Sequence, residues 1–237
     1  MPVAASVPLL HSGSVADNCL VRNDWVCPLY LETRSDIILA ALGEHVLILV
    51  LSLAVALLVG FPLALLARRT AWLKTLVLGA ATVVYTIPSL ALFVLVLPYT
   101  GLTLTTVVLA LSLYALTIVV RGVVAGLEGV PSHVEDAARG MGFGPGRLLW
   151  QVQVPLALPS LMAALRVAGV STVALTTVGA LVAHGGLGNL LFRGLDTRFF
   201  AQVLTASVLT VLLAFAVDLL LLGVQKALTP WRRGAAA

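Results

Sequence analysis

The sequence predicts an all-α integral membrane protein of five transmembrane helices, with the N-terminus outside the bilayer and the C-terminus inside. Three observations carry that expectation. Hydrophobic residues make up 60% of the 237 and charged residues only 10%, more apolar material than a soluble core of this length needs or could hide. The apolar residues fall in charge-free runs close to the roughly 20 residues that cross a hydrocarbon core about 30 Å thick. The basic residues gather at one set of run ends, as topology requires.

The chain opens with a polar, mixed stretch carrying Trp25, Pro28 and Tyr30, read as an extracytoplasmic arm over residues 1–42. Its first ten residues lack a basic start and are broken by Pro8, which does not fit a signal peptide. The only cysteines, Cys19 and Cys27, lie in this arm. An outward arm sits where thiols oxidise, so a Cys19–Cys27 disulfide and two free thiols both remain open.

Residues 43–226 form the membrane domain. The first span, 46–67, ends at Arg68-Arg69. The second, 75–97, begins after Lys74, ends at Pro98 and contains Pro88, which can kink it. The third, 102–120, ends at Arg121. The fourth, 167–183, is shorter and richer in hydroxyls. The fifth, 201–217, stops at Asp218, and residues 227–237 follow as a cytoplasmic tail. With this orientation Arg68, Arg69, Lys74, Arg121, Arg139, Arg147, Lys226, Arg232 and Arg233 are inside, with Arg166 at the edge. Arg22, Arg34, Arg193 and Arg198 are outside. The pI near 9.5 therefore reflects topology rather than nucleic-acid binding.

Between the third and fourth spans, residues 122–155 are too polar to span. Pro131-Ser132-His133-Val134-Glu135 reads as a helix start, with Ser132 and Glu135 as a capping box. Glu135 and Asp136 suit the positive end of that helix. Val134, Ala137, Ala138 and Met141 fall on one side, and Gly142 with Gly144-Pro145-Gly146 stops the helix. A second helix over 147–154 is expected to end at Pro155. By spacing alone this is either an interfacial hairpin or a small-faced knob that another backbone can approach.

Asp136-Ala137-Ala138, three residues, Gly142, nine residues, then Val152-Gln153-Val154-Pro155 resembles the EAA signature of ABC importer permeases. Asp replaces the family's Glu, and Val replaces its Ile and Leu. The resemblance implies that this segment is a cytoplasmic coupling helix that docks on ATPase subunits, with Asp136, Ala137, Ala138 and Gly142 as docking residues, Glu135 and Arg139 as flanking charges, and Pro155 closing the motif. It implies further partners: a second permease copy or a paralogue, and an extracytoplasmic substrate-binding protein. The chain lacks the Gly-x-x-x-x-Gly-Lys-Ser/Thr phosphate loop, so ATP and magnesium would be bound by the partner, and the chain is not expected to be an enzyme or to hold a cofactor or metal.

A narrower resemblance rests on Gly43-Glu44-His45-Val46, Gly60-Phe61-Pro62-Leu63-Ala64, Tyr85-Thr86-Ile87-Pro88-Ser89 and the segment from Gly185 to Gly194. These are similar to osmoprotectant permeases of the bacterial inner membrane, which import glycine betaine, carnitine, choline and proline. Amino-acid importers, such as those for methionine, share the core. A secondary transporter would need repeats or embedded ionisable groups, a channel needs no coupling helix, and the dispersed histidines (11, 45, 133, 184) form no catalytic set.

Gly169, Thr172, Thr176 and Gly179 recur as a small stripe on the fourth span, read either as close helix packing or as a face on the pore or permease dimer axis. Tyr85, Thr86, Pro88 and Ser89 are the second set of pore candidates. Arg166 and Asp218 are the charges most embedded in apolar sequence. At the cytoplasmic ends of the last two spans they can pair. Residues 184–200 read as an outer gate or docking surface, or as a short surface helix after a glycine turn.

Overall fold

The computed structural model describes residues 18–182 and 184–231. The readings of the first ten residues, of His11 and of Arg232 and Arg233 lie outside the described residues, as does Ala183 at the end of the fourth expected span. Among the described residues every regular element is helical.

The arm contains α1 (Cys19–Arg22) and α2 (Pro28–Thr33), tied by a Cys19–Cys27 disulfide with Cα atoms 5.5 Å apart. Helix α3 (Ser35–Ala67) follows almost at once, so the boundary drawn between residues 42 and 43 falls inside a helix. The reason is packing: Ile38 and Ala41 are buried with Cys27, Tyr30, Leu187 and Leu190, which extends the helical stripe well before the apolar run. At about 1.5 Å per residue α3 is about 50 Å long, longer than a bilayer core is thick.

The chain turns at Arg68-Arg69, and Thr70 caps α4 (Ala71–Thr86) by accepting from the Leu73 amide at 3.2 Å. The second expected span is broken rather than kinked. Helix α5 (Ser89–Thr100) leaves α4 at 101°. Pro88 offers no amide and pushes the preceding residue out of the helical region, and Ile87 is extended, with ψ 127°. The described residues thus hold four unbroken helices long and apolar enough to cross a membrane, and a fifth candidate only if α4 and α5 together make one span.

Helix α6 (Leu104–Glu128) continues about two turns beyond the third expected span. It is followed by α7 (Ser132–Gly140) and α8 (Pro145–Leu148). A π-helical turn, Leu149–Gln153, then leads directly into α9 (Val154–Val178) and a 3₁₀ turn, Gly179–Val182. Pro155 therefore does not end a helix. It sits in the first turn of α9 just after the widened turn, where its missing amide proton and its ring are tolerated. The separate helix over 147–154 and the fourth span are one rod from Pro145 to Val182. Helices α10 (Leu187–Asp196) and α11 (Phe200–Leu228) complete the chain.

Helix α6 is the axis of the bundle, and α3, α4, α5 and α9 pack around it. On α3, Ser52, Ala56, Gly60 and Ala64 form a ladder of small buried residues, and a Cβ added at Gly60 would lie 3.2 Å from Val119 Cγ1. On the opposite side α9 comes closer still. A Cβ at Gly122 would lie 2.1 Å from the Ala164 Cβ, and one at Gly126 would lie 3.2 Å from the Ala157 carbonyl oxygen. Small residues four apart let membrane helices meet backbone to backbone. Replacing Gly122 by Leu should force α9 away from α6 at a cost of about 1–3 kcal/mol or more. The expected outcome is a variant that inserts in the membrane but melts at a clearly lower temperature in detergent. Unchanged melting would show that the crossing does not hold the bundle together.

Candidate functional site

Helix α7 hangs between the end of α6 and the start of the α8–α9 rod and packs on α8 and the π turn. Its N-cap is Pro131, which makes no side-chain cap, so the expected Ser132–Glu135 capping box is not formed. Ser132 is already helical, and the Glu135 carboxylate is used elsewhere. It accepts from Gln153 Nε2 at 2.7 Å and from Arg139 Nη2 at 2.9 Å. Arg139 Nη1 also donates to Asp136 at 2.9 Å. Gln153 is buried and belongs to the π turn, so that turn holds the knob by its carboxylate. In the sequence motif Gln153 fills the position at which any residue is allowed, and nothing in the sequence marked it.

The helix ends in a Schellman arrangement. The Gly142 amide donates to Arg139 at 2.9 Å and the Phe143 amide to Ala138 at 3.1 Å, with Gly142 in the left-handed region at φ 84°. Arg147 covers the Phe143 ring at 4.4 Å. The expected single face of Val134, Ala137, Ala138 and Met141 is split. Ala138 is buried and Val134 half-buried, whereas Ala137 and Met141 point outward. Ala138 is therefore a packing residue of the knob. Its exposed side carries His133, Asp136, Ala137 and Met141. Arg68, Arg69 and Lys74 lie at the same end of the bundle, where Arg68, Arg69, Pro145 and Gln153 line one groove of about 520 Å³ and Lys74 pairs with Glu128 at 2.7 Å.

The Gly169–Gly179 stripe faces the interior of the chain. Thr172 and Thr176 are buried and donate to their own helix, to Ala168 and Thr172 carbonyls at 2.7 Å each, not across to a neighbour. A Cβ at Gly169 would lie 3.1 Å from Val217, and one at Gly179 would lie 2.9 Å from Val107. The stripe lets α3, α6 and α11 approach α9. All four of its residues are buried within the chain.

Tyr85, Thr86 and Pro88 are exposed and Ser89 half-buried at the α4–α5 break. The break frees the Ile87 carbonyl, and the buried Tyr114 hydroxyl donates to it. The Tyr114 ring meets Tyr85 edge-on with centroids 6.0 Å apart. Arg166 grips Asp218 with two hydrogen bonds of 2.7 Å, joining α9 to α11. Arg166 lies about 24 Å from the Val182 end of its rod and Asp218 about 27 Å from the start of α11. Both therefore stand near the same depth, measured from the end of the bundle opposite α7.

At the far end Asn23 clamps the arm to the α10–α11 corner. It donates to the Arg198 carbonyl at 2.7 Å and accepts from the Phe200 amide at 2.9 Å, and Trp25 stacks on Phe200. Beside it, burial raises the Tyr30 hydroxyl pKa above its ordinary value. Residues 184–200 begin with His184, which contacts Glu44 at 2.9 Å. They turn at Gly186 (φ 52°), where a Cβ would lie 2.6 Å from the His45 amide nitrogen. Leu187 and Leu190 are buried, so α10 is seated against the bundle rather than loose on its surface.

A family model described as "Binding-protein-dependent transport system inner membrane component" matches residues 46–234. The osmoprotectant import permease protein OsmW of Salmonella typhimurium is 33% identical over 206 residues, covering 85% of this chain and 96% of that protein. The glycine betaine/carnitine/choline transport system permease protein OpuCD of Bacillus subtilis is 32% identical over 205 residues, covering 86% and 90%. In fold, the chain is similar to a chain of the MetNI methionine ABC transporter in an inward-facing conformation. The TM-score is 0.77 at 23% identity, with 84% of this chain and 99% of that chain covered.

The Gln153–Glu135 bond joins a buried amide to a charged group, a kind of contact whose loss costs about 1.5–3 kcal/mol. Gln153→Ala should therefore let α7 open at least tenfold more often, read as faster amide hydrogen exchange over 132–140 with α9 unaffected. Equal exchange in both proteins would mean that the knob is held by its apolar underside alone.

Proposed function

The chain belongs to the binding-protein-dependent transport system inner membrane component family, and from that membership we propose how it works: as the multi-pass permease subunit of an ATP-driven importer for an osmoprotectant such as glycine betaine, carnitine or choline. The named relatives support the solute class. Chemistry at ATP belongs to partner subunits, which bind ATP and magnesium. The chain supplies the path.

The observation that carries this reading is the knob. Helix α7 presents Ala137 and Met141 outward while its underside is bolted to the π turn through Glu135 and Gln153. A helix with a small, partly apolar outer face, pinned to the roots of two long helices, is built to receive a push from another protein and pass it on. In this reading α7 faces the cytosol and docks on the ATPase. Arg68, Arg69, Lys74, Arg139 and Arg147 at the same end then satisfy the positive-inside rule. The N-terminal arm lies outside, where its disulfide persists, and a separate binding protein delivers the solute to that face. A second copy of this chain or a paralogue completes a two-fold pore in a bacterial inner membrane. The residues ahead of α3 serve as the outer arm, the helices from α3 to α11 as the permease body, and the residues after α11 as a cytoplasmic tail.

The test separates docking from folding. Ala137→Arg leaves the underside of α7 untouched and should reduce copurification of the ATPase subunits at least tenfold and abolish glycine betaine uptake, with melting unchanged. Ala138→Arg, which places a charge in the buried underside, should lower melting as well. Full copurification and uptake in Ala137→Arg would remove α7 from the docking surface.

A further inference from the structure

The face shared by α4 and α6 below the break carries three threonine hydroxyls and a guanidinium among its apolar side chains. A cleft of about 320 Å³ is lined there by Thr82, Tyr85, Thr86, Thr117, Ile118 and Arg121. The hydroxyls of Thr82, Thr86 and Thr117 satisfy backbone carbonyls of α4, at 2.7, 2.7 and 3.2 Å, so they soften the wall without leaving polar groups unpaired. Arg121 is exposed. One Nη2–H donates to Thr82 Oγ1, and no carboxylate among the described residues pairs with it.

A spanning-helix arginine usually bends toward the nearest interface. This one does not. Lys74 of α4 and Glu128 of α6 pair at the α7 end and mark one level of the bundle. Thr82 stands eight residues beyond Lys74, about 12 Å along the helix, and Arg121 stands about 10 Å before Glu128. The guanidinium thus stays at the depth of its own Cα, turned across to α4. Helix α6 runs about two turns past the expected span end at Arg121, so with the Lys74–Glu128 level as the interface this charge would face a water-filled cavity or path. One helical turn farther along α4, about 5 Å, Tyr85 is exposed, and its ring is braced edge-on by Tyr114. Side chains on a helix lean toward its N-terminus, which brings the Tyr85 ring back toward Thr82 and Arg121.

We propose that this cleft is a contact station on the translocation path for a zwitterionic quaternary-ammonium solute, with Arg121 taking the carboxylate and the Tyr85 ring the ammonium group. The assignment rests on the transport reading above and deepens it. The chemistry matches at both ends. A guanidinium fork receives a carboxylate in two parallel hydrogen bonds, and an aromatic face attracts a quaternary ammonium that offers no hydrogen bond. The remaining wall is hydroxyl and aliphatic, so contact is brief enough for release. High affinity stays with the binding protein.

The test uses the complete transporter, with ATPase subunits and binding protein, in proteoliposomes. Arg121→Gln should lower glycine betaine uptake at least tenfold while melting and the ATP hydrolysis stimulated by loaded binding protein stay within twofold. Arg121→Lys should recover part of the uptake. Uptake of choline, which has no carboxylate, should change less than twofold wherever the wild-type protein imports it. Tyr85→Leu should lower uptake of either solute, and Tyr85→Phe should not. As an independent readout, Thr86→Cys should react with a charged, water-soluble methanethiosulfonate reagent and be protected by glycine betaine during turnover, whereas Leu220→Cys should remain unreactive. Normal betaine uptake in Arg121→Gln, or an inert Thr86→Cys, would overturn the station while leaving the importer reading standing. A wild-type complex that imports neither solute would instead overturn the importer reading.

Discussion

The close crossing of α6 and α9 sets the position of everything at the α7 end. Gly122 and Gly126 place the backbone of α6 against Ala157, Ser160 and Ala164 of α9. In a membrane there is no hydrophobic gain in moving apolar side chains from lipid to protein, so contact area and close approach have to hold helices together. The crossing lies just before the residues from which α7 is suspended, Glu128 on one side and Pro145 on the other. The spacing of those two roots determines where the knob stands. The Glu135–Gln153 bond then fixes its rotation. Without the glycines the roots would part, and a correctly formed α7 would stand elsewhere relative to the bundle.

Helix α6 also connects that end to the polar cleft. From Glu128 back to Tyr114 it carries the ion pair with Lys74, the Arg121 guanidinium, the Thr117 hydroxyl and the Tyr114 hydroxyl that closes the α4–α5 break. Each reaches α4 or the break. A displacement of the α7 end relative to α4 cannot occur without shifting these rungs, because packed helices slide as units rather than deform continuously. At the break Pro88 has removed the helical bonds, and the α4–α5 angle is set by the Tyr114 hydrogen bond together with the burial of Leu92 and Phe93 against Val107 and Leu111.

Much of the architecture was legible in the sequence because bilayer thickness and charge are strong constraints. The charge-free runs located all the long helices, and the Gly142 and Gly144-Pro145-Gly146 signals correctly ended α7. Errors arose where tertiary partners outbid local preference. Ser132 and Glu135 have capping-box spacing, but Gln153 and Arg139 offer Glu135 a better-placed pair of donors. Pro155 looked like a stop because a strict α-helix has no room for it, whereas a π turn before it does. Pro88 looked like a kink, yet Ile87 went fully extended. Helix α3 begins eleven residues before the expected span, since α1, α2 and α10 bury its opening turns.

Hydroxyl stripes show most clearly why the path was harder to read than the fold. Thr172 and Thr176 on α9 and Thr82, Thr86 and Thr117 on α4 and α6 all donate to helix carbonyls. A threonine that has spent its proton this way is almost apolar in its demands and can sit in packing or beside water with similar ease. Spacing therefore cannot separate the two uses, and the regular period of the α9 stripe suits close packing. What separates them is the neighbour. The glycines of the α9 stripe meet valine and leucine side chains and the His184 carbonyl inside the chain. The α4–α6 cleft holds a guanidinium turned across the bundle and a braced tyrosine ring. In the proposed reading Arg121, rather than the run of hydroxyls, marks the solvated side, because charge at depth costs too much to persist without water or a counter-group.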